Sequence, residues 1–310
     1  MLLNTTTTRH RHDNESKTNA TITLLLSQAL TTLHTLAQKL RAARIANGAL
    51  IIEQDEMRFR LDKNGHPTEI YFESHNEAHQ LIEEFMLLAN RTVATAVGSG
   101  RPFVYRVHDL PDADKMEEVA SFKRLYASRS AASRYAGRSS EGFKRAIEML
   151  TIRAQAKAVY TTYNIGHYGL AFSHYTHFTS PIRRYPDLMV HRLVEKYILT
   201  GKKLSLTREE LEMMCEHCSN CEQDAAQAER ESVKMFQALW LGDHIGEIHT
   251  GYVANITDFG IFVQLDGNHC EGLIHKSKIG DIDRYMIGDT LTVKIAQTDP
   301  NRGYIDFDLA

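Results

Sequence analysis

Apolar residues recur at helical spacing through "TITLLLSQALTTLHTLAQKLRAARIANG" from Thr21, and the pattern stops at Gly48, which suits a helix C-terminus. "ALIIEQDEMRFRLDKNGHPTEIYFE" then alternates apolar and polar positions and turns at Asn64-Gly65, which predicts a β-hairpin. "NEAHQLIEEFMLLANRTVATAV" predicts a second amphipathic helix, and "PFVYRVHDLPDADKMEEVASFKRLY" a strand, a loop and a helix start. Helical spacing continues over 141–158. Leu188, Met189, Leu193, Val194, Tyr197 and Ile198 form one apolar stripe behind Pro186, whose missing N–H and fixed φ fit a helix start. A long polar helix with an acidic start is predicted over roughly 207–240. At Glu247 the period changes to two. "EIHTGYVANITDFGIFVQLDGNHCEGLIHKSKIGD" and "GDTLTVKIAQTDPNRGYIDFDLA" are short strands split by Gly, Asn and Asp. About five strands in this space is the size of a Greek-key barrel of the oligonucleotide-binding (OB) type. Residues 1–20 are polar and repetitive and are expected to be a disordered leader.

The chain has 310 residues, enough for about two domains. A net charge of -3 gives no global basic signature. The basic residues are instead local: residues 121–158 carry nine Lys or Arg against Glu141 and Glu148. That stretch reads as a solvated helix face or as a nucleic-acid contact, and charge alone leaves both open. Four cysteines and no signal-peptide pattern fit a reducing, cytoplasmic setting without a disulfide framework. No apolar run approaches the roughly 18 residues of a membrane span, so no membrane partner is expected.

"HYTHFTSPIRRYPDLMVHR" places Arg183 and Arg184 side by side in a proline-bounded turn. Arginines there either cover a solvated face or grip phosphate, for which their planar, permanently charged fork is suited. The Thr179-Ser180-Pro181 lead-in would aim Arg183, and Gly166 and Gly169 allow close backbone approach nearby. Seven Tyr or Phe fall between Tyr160 and Tyr185, Tyr175 among them, interleaved with His177 and other histidines. Rings interleaved with cations suit a single-stranded nucleic-acid channel, each stacked base contributing about 1–3 kcal/mol; the rings suit a core equally well. Cys215, Cys218 and Cys221 with His217 have zinc-like spacing, but thiols at i, i+3 and i+6 of one straight helix cannot wrap a tetrahedron unaided. No HExxH or comparable pair appears among the sixteen histidines. No metal ligands are therefore assigned.

"AVYTTYNIGHYGLAFSHYTHFTSPIRRYPDLMVHRLVEKY" strongly resembles the signature of the ribonuclease II/ribonuclease R exoribonucleases, and of bacterial ribonuclease R above all. "LAQKLRAARIANGAL", "LIEEFMLLANRTVA", "PFVYRVHDLPDADKMEEVASF" and "AERESVKMFQALWLGDHIGE" resemble further family segments in family order. "GYVANITDFGIFVQL" and "GLIHKSKI" resemble the family's ribosomal S-one type RNA-binding domain. The resemblance implies a processive 3'→5' exoribonuclease that threads single-stranded RNA and releases nucleoside 5'-monophosphates, using a divalent metal, normally Mg2+. It implies that Arg183 stabilises charge building on the scissile phosphate and that Glu83 holds the sugar of the terminal nucleotide. Arg184, Tyr175 and His177 would contact RNA in the channel. Tyr252, Phe259, Phe262 and His275 match the stacking face of the barrel.

One departure matters most. The family's metal ligands form an aspartate cluster spaced D-x5-D-x-D-D, and "DLPDAD", "DIDRY" and "DFDLA" do not reproduce it. Ile52 stands where the family has an aromatic able to stack a terminal base. The expected architecture is α+β: a leader over 1–20, the C-terminal part of a ribonuclease II-type catalytic domain over 21–244, and the small five-stranded OB-type barrel over 245–310. Such a chain would be inactive alone, with single-stranded RNA and the missing N-terminal half of the enzyme as partners. The alternative is a non-catalytic RNA-binding protein, and a decayed chain without a stable fold is a third reading.

Overall fold

The computed structural model describes residues 5–51, 55–130, 140–201 and 205–310. Ile52, and Arg134 and Arg138 of the basic stretch, lie outside the described residues. In chain order the elements are α1 (Thr5–Ala46), β1 (Glu56–Leu61), β2 (Pro67–Glu73), α2 (Glu77–Gly98), β3 (Tyr105–Val107), α3 (Ala113–Ser130), α4 (Ser140–Ala154) and β4 (Val159–Thr161). There follow α5 (Tyr185–Val194), α6 (Arg208–Gly242), β5 (Ile248–Thr257), β6 (Gly260–Leu265), β7 (Glu271–His275), β8 (Thr290–Asp299) and β9 (Tyr304–Leu309). The described residues form two compact units, one drawn from 5–51, 75–105 and 166–201, the other from 55–74, 106–130, 140–165 and 205–310.

In the first unit, α1 is one continuous helix from Thr5, so it takes in most of the stretch expected as a disordered leader. Extending an existing helix fixes one residue per hydrogen bond gained, and threonine opposes this only weakly. Further along, the hydroxyls of Thr31, Thr32 and Thr35 donate to carbonyls four residues back, so these side chains stay satisfied within the helix. α1 ends where the periodicity stops: Gly48 adopts φ +95 and Ala49 N–H reaches back to Arg44 O. α2 begins at Asn76, which accepts from the N–H groups of Ala78 and His79. Its buried face includes Glu84, Leu87, Asn90 and Ala94. α5 carries Pro186 in its first turn, as predicted, and buries Met189, Val190 and Leu193.

In the second unit, β1 and β2 form the predicted hairpin; the Asp62 carboxylate accepts from Asn64 and His66 N–H, and Gly65 takes φ +82. α6 opens with a reciprocal cap between Thr207 and Glu210 and extends the predicted polar helix to Gly242. The terminal strands close into a barrel in the order β5-β6-β7-β9-β8, with β7 and β9 parallel. Alternation decides its interior: Ile261, Val263 and Leu265 point inward with Val253, Ile274, Val293, Ile295 and Phe307, and Ala238 and Leu241 of α6 join them. The result is the expected α+β fold ending in a five-stranded OB-type barrel. No described helix is long and apolar enough to cross a membrane.

Candidate nucleic-acid interface

Two separate places collect the residues singled out by sequence, one in each unit. In the first, the chain after Thr179 folds back on Ser180. The Ser180 carbonyl accepts the N–H groups of Arg183 (3.3 Å) and Arg184 (3.0 Å). The Ser180 N–H donates to Asp187 Oδ2 at 2.7 Å, and Arg184 Nη2 donates to the same oxygen at 2.9 Å. The two neighbouring arginines are thereby separated in role. Arg184 is spent inside the turn, whereas Arg183 is exposed and its guanidinium has no acidic partner among the described residues.

Glu83 and Glu84 divide similarly. Glu84 is buried and takes its ion pair from the buried Arg44, while Glu83, 3.5 Å from Arg44 Nη2, remains 35% exposed. Its carboxylate keeps oxygens available as acceptors.

Tyr175, expected to contact RNA, is buried. It is 5% exposed, its hydroxyl accepts from Asn90 Nδ2 at 3.1 Å, and His167, Phe172 and His177 pack around its ring. An amphipathic ring whose hydroxyl finds a buried partner is drawn into the core. His177 is half-buried against that ring. Phe178 stacks on His191 at 4.1 Å, and its N–H donates to Asn90 Oδ1. The seven rings between Tyr160 and Tyr185 form no single ladder. Tyr160 and Tyr163 belong to the second unit, where Arg106 and Arg208 cover them, and Tyr185 is exposed in the first.

On the barrel, β6 and β7 present the second place. Phe259 is 52% exposed and meets the half-buried Phe262 edge to face at 5.9 Å. Register sets Gly260 opposite His275 and Phe262 opposite Leu273, so Phe259, Phe262 and the exposed His275 lie on one hairpin. Gly260 makes this possible: a Cβ there would sit 2.3 Å from Ile274 O. Lys276 follows, exposed, while Lys278 is tied to Asp308. Tyr252, expected on this face, is instead buried, its hydroxyl donating to the Gln264 side chain across the β5–β6 pair.

Among the described residues, no three His, Cys, Asp or Glu side chains gather as metal ligands. One aspartate of each acidic motif is engaged in another way. Asp112 caps α3 by accepting from Asp114 and Lys115 N–H, Asp281 accepts from Asp283 N–H and Arg284, and Asp308 pairs with Lys278. Of the α6 thiols, Cys215 is buried, Cys218 half-buried and Cys221 exposed, with Cys221 Sγ 3.6 Å from His217 Nε2. Burial pushes the Cys215 and Cys218 thiols up from their ordinary range.

Sequence reasoning passed over Asp187, Asn90 and Arg44. Asp187 had a local signal, an acid in the first turn of the helix that follows "SPIRRYP". Arg44 had none, because its partners lie 39 and 40 residues away.

Residues 2–200 match the RNB domain and residues 243–309 the S1 RNA binding domain. Ribonuclease R of Thermotoga maritima is 36% identical over 305 residues, covering 88% of this chain and 43% of that protein. The Aquifex aeolicus protein of the same name is 34% identical, with 92% and 44% covered. The chain therefore spans less than half the length of these relatives. The structure of Mycoplasma genitalium RNase R in complex with ribose methylated single-stranded RNA superposes with a TM-score of 0.81 at 28% identity, over 91% of this chain and 49% of that one. By the domains it carries and their order, the chain belongs to the RNB-domain family, with an S1 RNA binding domain after the RNB domain as in the ribonucleases R it is similar to.

Proposed function

We propose that this chain is the RNA-gripping part of a 3'→5' exoribonuclease of the ribonuclease R type, which hydrolyses single-stranded RNA to nucleoside 5'-monophosphates. The reading rests on the exposed Arg183 guanidinium, held without an acidic partner on a fastened turn. A fixed cation with a planar fork binds phosphate oxygens in two places and stabilises charge that develops on them. In this reading Arg183 faces the scissile phosphate, Glu83 accepts the ribose hydroxyls, and Phe259, Phe262 and His275 stack bases on the barrel. Arg184 contributes by holding the turn. His177, half-buried, borders the channel wall.

The family resemblance implies Mg2+, which would activate water and steady the leaving oxygen. Hard divalent cations require several converging oxygens. Among the described residues no three such side chains converge, and Asp112, Asp281 and Asp308 of the acidic motifs are engaged elsewhere, so the residues present do not fit such a site. In this reading these residues bind RNA, and cleavage requires metal-binding aspartates supplied from outside them. The same observation favours a second reading, a non-catalytic RNA-binding protein.

The experiment is incubation of 5'-labelled single-stranded RNA with the purified chain and Mg2+, beside an Arg183→Ala control. Salt-sensitive binding without shortening is expected. A ladder shrinking from the 3' end, lost in the control, would overturn the claim that the chain is inactive alone. Addition of the N-terminal half separates the two readings: restored cleavage supports the split enzyme, and continued binding without cleavage supports the non-catalytic protein.

A further inference from the structure

Asp187 is fully buried. Its Oδ2 serves two donors of the same turn, Ser180 N–H and Arg184 Nη2, while its Oδ1, Arg184 Nε and Thr179 Oγ1 are buried with no hydrogen-bond partner among the described residues. An arrangement that leaves polar atoms of one turn incompletely satisfied is a poor way to gain stability, since apolar packing often does as well as a buried ion pair. What it supplies is direction. Ser180 is gripped from both sides, its N–H by Asp187 and its C=O by Arg183 N–H, so two hydrogen bonds link the buried carboxylate to the backbone of Arg183. The side chain of Arg184, which caps no helical N–H, is drawn into the same clasp and away from the surface.

We propose that Asp187 is a positioning residue for Arg183: acting through Ser180 and Arg184, it orients the Arg183 guanidinium toward RNA phosphate without touching RNA itself. The proposal rests on the reading of Arg183 as a phosphate contact. It predicts that Asp187 and Arg183 act as one unit.

The test is equilibrium binding of labelled single-stranded RNA to the full chain over a series of salt concentrations, for wild type, Arg183→Ala, Asp187→Asn and the double variant. Loss of one phosphate contact lowers the slope of log affinity against log salt by about 0.7 for a single strand. Arg183→Ala is expected to lose that increment, Asp187→Asn to lose the same increment, and the double variant no more than either. Circular dichroism establishes that each variant is folded. Should the asparagine variant fail to fold, Asp187→Glu keeps the charge but displaces Ser180 by a methylene, and the same loss of slope is expected. A folded Asp187 variant with the wild-type slope and only a lower melting temperature overturns the positioning role while leaving Arg183 in place. An unchanged slope in Arg183→Ala overturns both the phosphate contact and the inference built on it.

Discussion

Arg44 of α1 and Glu84 of α2, forty residues apart, form an ion pair in which both side chains are almost wholly removed from water. A buried charge left without its partner is costly, whereas replacing the pair with apolar groups is often neutral. Arg44→Met is therefore expected to lower stability by about 3–5 kcal/mol, and Arg44→Met with Glu84→Leu to recover most of that loss. Urea unfolding of the two variants checks both statements.

Tyr175→Phe removes one hydroxyl that accepts from Asn90 and leaves the ring in place. The expected cost is about 1 kcal/mol of stability, with RNA affinity unchanged. A drop in affinity without loss of stability would return Tyr175 to the RNA-contacting set.

Phe259 gives the opposite pattern. Its ring is half exposed and supports little of the core, so Phe259→Ala should leave the melting temperature nearly unchanged. RNA binding should weaken by about 1–3 kcal/mol, measured by fluorescence anisotropy. Tyr252→Ala should instead destabilise the barrel, since that ring is buried.

Glu212 ties α6 to the strand before it. Burial alone would push its carboxyl up, but hydrogen bonds from Thr161 and Thr162, helped by Arg208, outweigh it and hold the pKa below the ordinary 4.5. A carboxylate depressed in the folded state adds stability that is present above its unfolded value and lost as pH falls through its folded one. The acid limb of the stability curve, starting near pH 4.5 and continuing below it, should therefore be steeper in wild type than in Glu212→Gln. Denaturation melts across that range measure the difference.

The thiols should react in order of exposure. Cys221 is exposed, Cys218 is half-buried, and Cys215 and Cys270 are buried, the last with its thiol pushed up to about 12 by burial. A thiolate-specific reagent should modify Cys221 first and reach Cys215 and Cys270 only on unfolding.

Elements whose signals are local were legible in the sequence. Gly48 ends α1 through its positive φ, Asn64-Gly65 turns the hairpin, and Ile261, Val263 and Leu265 reveal the barrel wall by alternation. Rings were harder to sort. Tyr175 and Phe259 look alike in a list of aromatics, and only the arrival of Asn90, 85 positions away, decides that Tyr175 goes inside. The difference between Arg183 and Arg184 was likewise hidden, because it depends on which of them can reach one buried oxygen of Asp187. Periodicity reports which face is apolar; it does not report which polar group will satisfy which.

The barrel's strand order carries a consequence for how it assembles. β6 and β7 are neighbours in sequence and can zip together early, so the hairpin bearing Phe259 and His275 is available as a local structure. Closure waits for β9, which must insert between β7 and β8 and pair with the former in parallel. Non-local pairing of this kind is slow relative to hairpin formation. The apolar interior around Phe307 is thus sealed only when β9 is in place, so a barrel lacking that strand would expose it.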